Sequence, residues 1–599
     1  MEKWLNSKIA KDIWENKYQY ENETIEEWMN RISGRDEKIK ELILNKKFIF
    51  AGRILANRGL DRKGMKVTLS NCYVLPQPED NLESIFNTAR DMAKTYSYGG
   101  GCGIDLSKLA PKGAKVNNTA KSTSGAVSFM DLYDLTTGLI GIHGRRGALM
   151  LSLSVEHPDI EDFIEKKNDL NAVTKANISV KITDEFMKKV TGEIENPMYT
   201  CRFERPETND IIEKEINAKE LFKKLCENNW NMAEPGILYW DNISNYHLMS
   251  EVESFNYAGV NPCAEEPLPP YGSCLLGSIN LSAYVDDNGA FSFTEFLCDI
   301  PKIVEAMNDV LDEGLPLHPL KGQRETVRNL RQIGIGVMGI ADMLIKMGIR
   351  YGSPEAIKVC DDIGFILADS AIRASALLAR DYGVFPKYSK KVLESSFLKE
   401  NTTCETYELV KKYGLRNSQI LTIAPTGTLS TMWGISGGIE PIFAFSYFRK
   451  TESLAQEDRY YEVFTPIVQE YMDKHNLNSK KELPDFFVDA SDLTPVERVS
   501  MQAVWQKHID ASISSTVNLP NEATIEQVEE LYALAWKHKL KGLTIFRDGC
   551  RRAGILTHDN PEDNKEEKKV MSCPECGLEV SMTEGCITCF SCGWGKCSL

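Results

Sequence analysis

The sequence predicts an α/β fold, because amphipathic helices alternate with short apolar strands between about residues 155 and 420. Apolar residues recur at helical spacing in this region, which predicts helices over 184–191, 219–230, 296–312, 354–382 and 404–413. The chain has 599 residues, enough for several domains or for one large enzyme with additions.

The charge balance argues against some classes of protein. The formal net charge is -16 and is spread along the chain, which is unlike a general nucleic-acid or membrane-surface binder. No apolar run approaches the roughly 18 residues of a membrane span. The opening Met-Glu-Lys-Trp-Leu-Asn is charged and amphipathic, unlike a secretion signal. We therefore expect a cytoplasmic protein with no membrane association and no direct nucleic-acid binding.

Cysteine is frequent and unevenly placed. The chain has 16 Cys, and six of them lie between 573 and 597. The others are scattered, unlike the disulfide framework of a secreted protein. Metal binding and redox chemistry are therefore the expected uses of these thiols.

Two helix starts are predicted in the first hundred residues. Residues 1–50 show helical spacing of apolar side chains, and Asn22-Glu-Thr-Ile-Glu-Glu is typical of a helix start. Another helix is predicted to run to Tyr98, with Asp80 or Asn81 as its cap. It ends in Gly99-Gly-Gly-Cys-Gly, where the missing side chains let the backbone approach a ligand closely.

The stretch Asn261-Pro-Cys-Ala-Glu265 places an amide, a thiol and a carboxylate at alternate positions. Alternate side chains of an extended chain point the same way, so Asn261, Cys263 and Glu265 are expected to face one pocket. The Pro and Gly residues that follow force a turn, which can bring Cys274 back near Cys263. This set suits hydrogen-atom abstraction coupled to proton transfer. A buried structural cysteine in a Pro-rich loop is the alternative that the residues alone leave open.

Two glycine-containing stretches are candidate nucleotide sites. The apolar run from Leu421 opens into Pro425-Thr-Gly-Thr428, whose amides and hydroxyls can hold phosphate oxygens, although a plain Ser/Thr-rich turn is the alternative. The Gly-x-Gly-x-x-Gly pattern at 334–339 is typical of dinucleotide binding only when an acidic residue follows in a second strand. That residue is not evident, so close helix packing is the favoured interpretation.

These motifs resemble those of ribonucleotide reductases. The 261–265 stretch resembles the finger loop of that family, and the segment 421–430, with Ser436-Gly-Gly-Ile-Glu-Pro behind it, looks like the loop that grips the substrate phosphates. Similar segments also lie at Ser70-Asn-Cys72, 511–520 and 541–551. The resemblance implies a ten-stranded α/β barrel made of two antiparallel five-stranded halves, with the finger loop inside. It also implies a catalytic domain over 51–556.

The resemblance implies a role for each residue of the site. Cys263 would carry a thiyl radical, Glu265 would act as general base, and Asn261 would hydrogen-bond the ribose. Cys72 and Cys274 would be the reductant pair. The implied substrate-binding residues are Ser70, Gly101, Pro425, Thr426, Gly427 and Thr428.

The same resemblance implies allosteric control by a dNTP or ATP. Asp80, Arg145 and Arg146 would bind the effector, with specificity loops near 107–122 and 141–150. Taken alone, Asp80 would be interpreted as a helix cap and the arginines as an exposed basic turn. Residues 1–50 are too few for the ATP-cone domain of many relatives, so overall on/off control by ATP and dATP is expected to be absent.

The subclass follows from residues 544–551. Class I enzymes have two adjacent tyrosines where this chain reads Thr544-Ile545-Phe546, and no glycyl-radical context of class III occurs. The Arg-Asp-Gly ending and the short gap between Cys263 and Cys274 are similar to class II, which uses adenosylcobalamin. The substrate would be a ribonucleoside di- or triphosphate. The alternatives are a class I-type large subunit needing a separate radical-generating subunit, and a catalytically inactive nucleotide-binding zinc-ribbon protein.

The C-terminal region is expected to be a charged linker, 557–570, followed by a Cys-rich zinc-ribbon-like tail, 571–599. The simplest zinc ligand set is Cys573, Cys576, Cys586 and Cys589. It leaves Cys592 and Cys597 as a redox shuttle that would reduce a Cys72–Cys274 disulfide by thiol exchange. Alternatively, Cys589 and Cys592 form the second knuckle, leaving Cys586 and Cys597. A thioredoxin- or glutaredoxin-type reductant and a homodimer are also expected from the family.

Overall fold

The computed structural model describes residues 4–5, 7–117, 119–140, 147–205, 210–451, 459–477 and 479–551, with short strands at 556–557, 581–583, 586–588 and 595–597. Within these residues the α-helices, α1 to α20 in chain order, are Lys8–Ile13, Ile25–Ile32, Glu37–Leu44, Gly52–Asn57, Leu82–Ser97, Met130–Leu139, Ile160–Glu165, Asp184–Thr191, Ala218–Met232, Trp240–Asn245, Phe293–Gly314, Lys321–Leu330, Ile340–Met347, Pro354–Tyr382, Ser396–Glu400, Cys404–Tyr413, Gly427–Trp433, Pro466–His475, Pro495–Gln506 and Ile525–Lys537.

The strands of the same residues, β1 to β21 in chain order, are Phe48–Phe50, Cys72–Val74, Gly101–Asp105, Leu149–Ser154, Ala176–Ile182, Met198–Glu204, Ile211–Asn217, Gly236–Tyr239, Gly259–Val260, Pro267–Leu268, Ser273–Cys274, Leu276–Asn280, Gly334–Met338, Ser446–Thr451, Arg459–Phe464, Thr516–Leu519, Gly542–Arg547, Leu556–Thr557, Ser581–Thr583, Cys586–Thr588 and Gly595–Cys597. The fold is therefore α/β, as the sequence predicts.

The predicted helices are confirmed. Three of them, 184–191, 354–382 and 404–413, have the predicted bounds, and the other two are longer at 218–232 and 293–314. Such segments are predictable because each presents an apolar stripe to the core and has a local start signal. Thr24 begins α2 with a capping box to Glu27, and Asn81 caps α5 by accepting from the Ser84 backbone N–H.

The largest sheet has eight strands in the order β11-β2-β3-β4-β5-β8-β17-β16. Its middle strands β2, β3, β4, β5 and β8 are parallel to one another. The direction changes at both edges of this group, because β11 is antiparallel to β2 and β17 is antiparallel to β8. Strands β3 and β4 are almost entirely buried, as expected of parallel strands covered on both faces.

A second group of parallel strands begins with β12 and β13. Isolated parallel bridges join Ile335 of β13 to Leu421, and Ile423 to Ile513. A single residue, Leu275, separates β12 from β11, and the segment containing Ile513 leads into β16, which is parallel to β17. The second group therefore adjoins both ends of the eight-stranded sheet, through β11 at one end and β16 at the other.

Two large apolar cores accompany these strand groups. One surrounds β3, β4, β5 and β8 and includes side chains of α5 to α9 and α20. The other surrounds β12, β13 and the helices α11, α13 and α14. The N-terminal residues belong to this second core, in which Trp4, Trp14 and Trp28 are buried. In the described part of the chain, no helix has the length and apolar character needed to cross a membrane.

Candidate active site

The finger loop, residues 259–268, is a hairpin whose strands β9 and β10 pair Val260 with Pro267. Its tip is a turn rather than the extended chain that we predicted. The Ala264 N–H donates to the Asn261 carbonyl at 3.0 Å, and Ala264 has a left-handed φ of 64°. The Asn261 side-chain oxygen closes the turn by accepting from the Glu266 N–H at 3.0 Å. A turn is favoured here because Pro262 restricts φ and cannot donate to a strand ladder.

The finger loop lies between the two strand groups. On one side, a Cβ at Gly103 of β3 would come within 1.9 Å of the Val260 carbonyl oxygen, so only glycine permits this approach. On the other side, the Glu265 carbonyl accepts from the Ser512 N–H at 2.9 Å and from the Thr422 hydroxyl at 2.7 Å. These contacts fix the tip of the loop from both directions.

Cys263 lies at the tip and its side chain is accessible to solvent. The surrounding protein is nevertheless dense, and burial raises the pKa of its thiol well above the ordinary value, with smaller contributions from Glu265 and Cys72. An accessible thiol with this surrounding lines a recess of the protein. The direction of the pKa shift keeps Cys263 as a protonated S–H at neutral pH.

Glu265 and Asn261 are both buried beside this thiol. Burial raises the pKa of Glu265 to about 7, and the Asn261 amide and the loop backbone partly offset that effect. The Glu265 Oε2 and Asn261 Nδ2 atoms are buried without a hydrogen-bond partner among the described residues. Buried polar atoms are normally paired, so these two neighbouring atoms are candidates to bind a polar ligand. The predicted grouping of Asn261, Cys263 and Glu265 therefore holds, although the extended-chain reason for it was wrong.

Cys72 and Cys274 occupy directly facing positions on the antiparallel strands β2 and β11. Facing Cα atoms in such pairs are about 4.5–5.5 Å apart, which lies within the range that a disulfide bridges. Both are free thiols here, and the pKa of Cys274 is raised by burial and then by the adjacent Cys72 thiol. Besides burial, the Cys72 thiol contributes to the raised pKa of Cys263, and Glu266 and Glu265 contribute to the raised pKa of Cys274, so the three cysteines share one site.

Two of the predicted substrate-binding residues adjoin this thiol pair. Gly101 is the β3 partner of Cys72, and a Cβ placed on it would lie 3.1 Å from the Cys72 sulfur. Ser70 is buried, and its hydroxyl donates to the Ser273 hydroxyl at 3.3 Å. Both residues therefore lie beside the strands that carry Cys72 and Cys274.

The 425–428 loop begins beside the thiol pair, because Ala424 shares a small apolar cluster with Cys72 and Cys274. Pro425 is exposed, and Thr426 has a left-handed φ of 51° as α17 begins at Gly427. The Thr426 hydroxyl accepts from the Gly438 N–H at 2.9 Å, which ties this loop to the 436–441 segment. The predicted substrate-binding residues Pro425 to Thr428 are thus placed next to the predicted catalytic residues.

Sequence reasoning missed the residues that hold the finger loop from behind. Glu266 is buried, and Gln419 Nε2 donates a hydrogen bond to its Oε2 atom. The Gln419 side-chain oxygen in turn accepts from the Tyr257 hydroxyl at 3.0 Å and from Gln332 Nε2 at 3.1 Å. Burial raises the pKa of Glu266 well above its usual range, with further contributions from Glu265 and Asp510. The available sequence signal was two consecutive glutamates in an apolar setting.

The glycines at 334 and 336 serve this same packing. A Cβ at Gly334 would lie 2.3 Å from a Glu266 carboxylate oxygen, and one at Gly336 would lie 2.2 Å from the Thr422 carbonyl. We expected these glycines to allow close packing of a helix, and that expectation was wrong. They lie on strand β13 and allow it to approach the finger loop and the neighbouring 421–423 segment. This close approach accounts for the pattern without a dinucleotide.

Asp80 is not a helix cap. Its carboxylate forms an ion pair with Arg205 at 2.9 Å and accepts from the Ala110 N–H at 3.0 Å. Arg205 also donates to the Lys115 carbonyl at 2.7 Å, so Asp80 is linked to the predicted 107–122 loop. Arg145 and Arg146 lie outside the described residues, as does most of the glycine-rich part of the 141–150 loop.

The strands that would carry a tyrosine relay have no phenol on their accessible face. Thr544 and Phe546 of β17 are at least partly exposed, as are Thr516 and Asn518, their partners on β16. The intervening Ile545 is buried in the apolar core. The only hydroxyl groups among these side chains belong to threonine. An aliphatic hydroxyl is not a phenol, so these residues do not form a tyrosine relay.

Most of the predicted tail sites lie outside the described residues, namely Cys573, Cys576, Cys589 and Cys592. The backbone positions of Cys586 and Cys597 face each other on β20 and β21. Among the residues that the structure describes, no cluster of three His, Cys, Asp or Glu is arranged to hold a metal ion. The zinc ligands and the redox shuttle therefore stay predictions.

Comparison with known proteins supplies independent information. A protein-family profile described as "Ribonucleotide reductase, barrel domain" matches residues 70–546. The chain is 35% identical over 550 residues to the "Vitamin B12-dependent ribonucleoside-diphosphate reductase" of Thermoplasma acidophilum, covering 88% of this chain and 68% of that protein. It is 34% identical over 545 residues to the protein of the same name from Mycobacterium tuberculosis H37Rv, covering 88% and 72%.

A solved structure shows the same fold. The class Id ribonucleotide reductase alpha subunit of Actinobacillus ureae superposes with a TM-score of 0.72, over 91% of this chain and 98% of that one. The sequence identity is 17%, so this likeness concerns the α/β architecture alone.

Proposed function

Because the chain belongs to the ribonucleotide reductase family, we propose that it reduces ribonucleotides to 2′-deoxyribonucleotides for DNA synthesis. The observation that carries this proposal is the arrangement around Cys263. An accessible, protonated thiol lies beside a buried carboxyl group whose pKa is about 7, and two facing thiols adjoin them. Radical abstraction, proton transfer and two-electron reduction each require one of these components.

The proposed architecture is a ten-stranded barrel of two antiparallel five-stranded halves with the finger loop inside. The parallel strands β2, β3, β4, β5 and β8 support the first half. The second would comprise β12, β13, the 421–423 segment, the 513–519 segment and β17. The antiparallel pairs β11–β2 and β8–β17 are the connections that would join the halves.

The proposed domains follow from this architecture. Residues 51–556 would form the catalytic unit, in agreement with the family match over 70–546. Residues 1–50 would form a helical segment, and 557–570 would be the linker to the tail at 571–599.

Adenosylcobalamin is the proposed radical source and a nucleoside diphosphate the proposed substrate, because both compared relatives are named as B12-dependent diphosphate reductases. The residues present fit this group. Cys263 is an accessible S–H, which is the donor that a carbon-centred radical requires, and the β16–β17 face offers no tyrosine relay. When bound, the cofactor would supply the radical chemistry, and the Cys263 thiol would serve as the hydrogen-atom donor.

The Cys263 sulfur radical would then abstract the 3′-hydrogen of the ribose. Glu265 would take the proton of the 3′-hydroxyl, for which its unpartnered, buried Oε2 is positioned. The Asn261 Nδ2 atom would donate to the ribose, and the recess would limit access of water. Gly101 and Ser70 would let the substrate approach the thiol pair, and Pro425, Thr426, Gly427 and Thr428 would hold its phosphates.

Cys72 and Cys274 would supply the two electrons. The 2′-hydroxyl would leave as water with a proton from one thiol, the hydrogen of the second thiol would replace it at C2′, and the pair would end as a disulfide. Glu265 would return its proton to the 3′-oxygen and Cys263 would return the 3′-hydrogen, which restores both residues for the next cycle. The tail dithiol Cys592–Cys597 would reduce this disulfide and be reduced by a thioredoxin- or glutaredoxin-type protein.

The regulatory and assembly features are proposed from the family. Asp80, Arg145 and Arg146 would bind a dNTP or ATP effector, and the link from Asp80 through Arg205 to Lys115 supports a connection to the 107–122 loop. Zinc would be held by Cys573, Cys576, Cys586 and Cys589, and the enzyme would act as a homodimer in the cytoplasm.

The test is anaerobic reduction of CDP and CTP by the purified chain with dithiothreitol, with and without adenosylcobalamin. We expect turnover only with the cofactor and preference for CDP. Turnover that needs a separate radical-generating protein would establish a class I-type subunit instead. Absence of turnover under every effector nucleotide, with nucleotide binding intact, would favour a catalytically inactive nucleotide-binding protein.

A further inference from the structure

The N-terminal segment runs along the helix that begins at the 425–428 loop. Trp4 contacts Trp433, the last residue of α17, with ring centroids 6.0 Å apart and planes at 88°. The following helix α1 packs against α17. The chain then arrives at the opposite end of α17, where the Lys17 ammonium lies 3.5 Å from the Thr428 hydroxyl. The segment therefore runs antiparallel to α17 and carries a cation to the start of that helix.

The placement of Lys17 depends on a distorted turn. Residues Trp14–Tyr18 form a π-helical turn, which ends with the Gln19 N–H donating to the Trp14 carbonyl at 2.9 Å. Such turns reorient side chains and occur often at functional sites. The turn is held by buried Trp14, whose ring lies 6.3 Å from that of buried Trp28. Lys17 is thus fixed at its backbone while its side chain stays partly exposed.

The loop that Lys17 approaches has no charge of its own, because it consists of Pro425, Thr426, Gly427 and Thr428. The Thr426 hydroxyl is already engaged with the Gly438 N–H, and Gly427 and Thr428 are partly exposed. Hydroxyls and amides can orient a phosphate, but they leave its charge unpaired. A lysine ammonium supplies a compact positive charge with three donors, which suits a terminal phosphate group.

We propose that Lys17 is a substrate-binding residue that pairs with the terminal phosphate of the nucleotide held by the 425–428 loop. This inference rests on the proposed function, because that loop is the proposed phosphate site. It assigns to the N-terminal segment a direct part in substrate affinity. Lys17 lies at the hydroxyl of Thr428 in the proposed phosphate loop, so its effect should lie in binding and not in the chemical step.

The test compares Lys17→Met with Lys11→Met in the full-length chain. Methionine keeps an unbranched stem and removes the charge, and Lys11 is an exposed residue of the same segment that pairs with Glu15 at 3.7 Å. Isothermal titration without cofactor should show CDP binding weakened about tenfold to a hundredfold by Lys17→Met, as expected for a charge-assisted hydrogen bond. Lys11→Met should bind like the wild type. Lys17→Arg should restore most of the affinity.

A ligand series separates a phosphate contact from a change in folding. Lys17→Met should weaken CDP binding more than CMP binding and leave cytidine binding unchanged, whereas a distorted site would weaken all three ligands. In turnover assays KM should rise by the same factor as the dissociation constant while kcat stays within about twofold. Equal CDP affinity of Lys17→Met and the wild type would overturn the inference.

The two proposals fail in different ways. If the wild type binds CDP tightly and Lys17→Met does not, the inference stands even when no cofactor gives turnover, and only the proposed reaction fails. If the wild type turns over CDP and Lys17→Met has an unchanged KM, only the inference fails. If the wild type does not bind CDP at all, both are overturned.

Discussion

The finger loop carries two adjacent buried carboxyl groups, Glu265 and Glu266, whereas the 425–428 loop carries no charged side chain. The finger loop is enclosed by β3 on one side and by Thr422 and Ser512 on the other. The 425–428 loop is partly exposed. The cation that lies beside it is Lys17, which is 411 residues away in sequence from Thr428.

This difference corresponds to two tasks. Burial keeps the Cys263 thiol protonated, which suits hydrogen-atom transfer, and raises the pKa of Glu265 to about 7, which suits proton transfer near neutral pH. Exposed neutral donors suit the capture of an anion that must enter and leave. Substitutions in the finger loop should therefore change kcat, and substitutions in the 425–428 loop should change KM.

Replacement of Cys263 should have the largest effect. Cys263→Ser keeps the size of the side chain but replaces S–H by the much stronger O–H bond, so no hydrogen atom can be abstracted. We expect deoxynucleotide formation to become undetectable, while the CDP dissociation constant from equilibrium dialysis stays within about twofold of the wild type. Unchanged turnover by this variant would contradict the radical mechanism.

Replacement of Glu265 should come next. Glu265→Gln removes the proposed general base, and we expect kcat to fall by about 10²–10⁴-fold with little change in KM. The wild-type kcat should rise with pH through about 7, because Glu265 is active only when deprotonated and its pKa is raised to about 7. Initial rates measured across this range should show that rise in the wild type and not in the variant.

Glu265→Gln should lower activity but raise stability at neutral and higher pH. The pKa of Glu265 is raised from 4.5 to about 7, so the folded protein favours the protonated form. The stability associated with that form is fully present below about pH 4.5 and is lost as pH rises through about 7. Thermal unfolding should therefore show Glu265→Gln becoming more stable relative to the wild type over this interval. A variant that loses both activity and stability at pH 8 would indicate general disruption instead.

Displacement of the finger loop should have a somewhat smaller effect. Gly103→Ala would place a Cβ 1.9 Å from the Val260 carbonyl oxygen, so β3 and the finger loop must separate. A shift of about 1 Å at a reacting group costs about 10²-fold in rate, and we expect a loss of that order in kcat. Gly138→Ala is the matched control, because its nearest neighbour would be 3.8 Å away. Equal activity of both variants would show that the loop position is not critical.

The elements that sequence could predict are those with local signals. The helices at 184–191, 354–382 and 404–413 have the predicted bounds because their apolar periodicity is contained within the segment. Strand neighbours could not be predicted in this way. The pairing of β8 with β17 joins residues about three hundred positions apart, and nothing near either strand encodes it.

In the site, too, features with a local sequence signal could be predicted and long-range contacts could not. Asn261, Cys263 and Glu265 could be grouped because they are contiguous, although the turn closed by the Ala264 N–H replaced the expected extended chain. Only the alternative interpretation of Asp80 as a helix cap was wrong, because its partner, Arg205, lies 125 residues later and competes with a capping role. The roles of Gln419 and Lys17 had no local signal, since their contacts appear only when distant segments pack together.

A change in the 425–428 loop should produce a moderate effect of the other kind. Thr428→Val removes a hydroxyl while keeping the shape of the side chain. We expect KM for CDP to rise about tenfold and kcat to stay within about twofold, since one hydrogen bond to a charged group contributes about 1.5–3 kcal/mol at most. Steady-state kinetics beside the Glu265→Gln variant would show the contrast directly. A fall in kcat without a change in KM would break the division between the two loops.

Replacement of Glu266 should have the smallest effect, although this carboxyl group adjoins the proposed base. Gln419 is held with its oxygen toward Tyr257 and Gln332, so its amide N–H group must point at Glu266. Glu266→Gln keeps an acceptor for that N–H and resembles a protonated glutamate, because burial and the neighbouring Glu265 raise the pKa of Glu266 well above its usual range.

We therefore expect Glu266→Gln to retain kcat and KM within about twofold and to leave the pH of the Glu265-dependent rise unchanged. If Glu266 were ionised in the folded enzyme, removing its charge would lower the pKa of Glu265 and move that rise to lower pH. Glu266→Ala removes the acceptor as well and leaves the Gln419 N–H buried without a partner, which costs about 1–3 kcal/mol. The pH profiles of the two variants thus separate a carboxyl group that only holds the loop from one that shares its charge with the catalytic base.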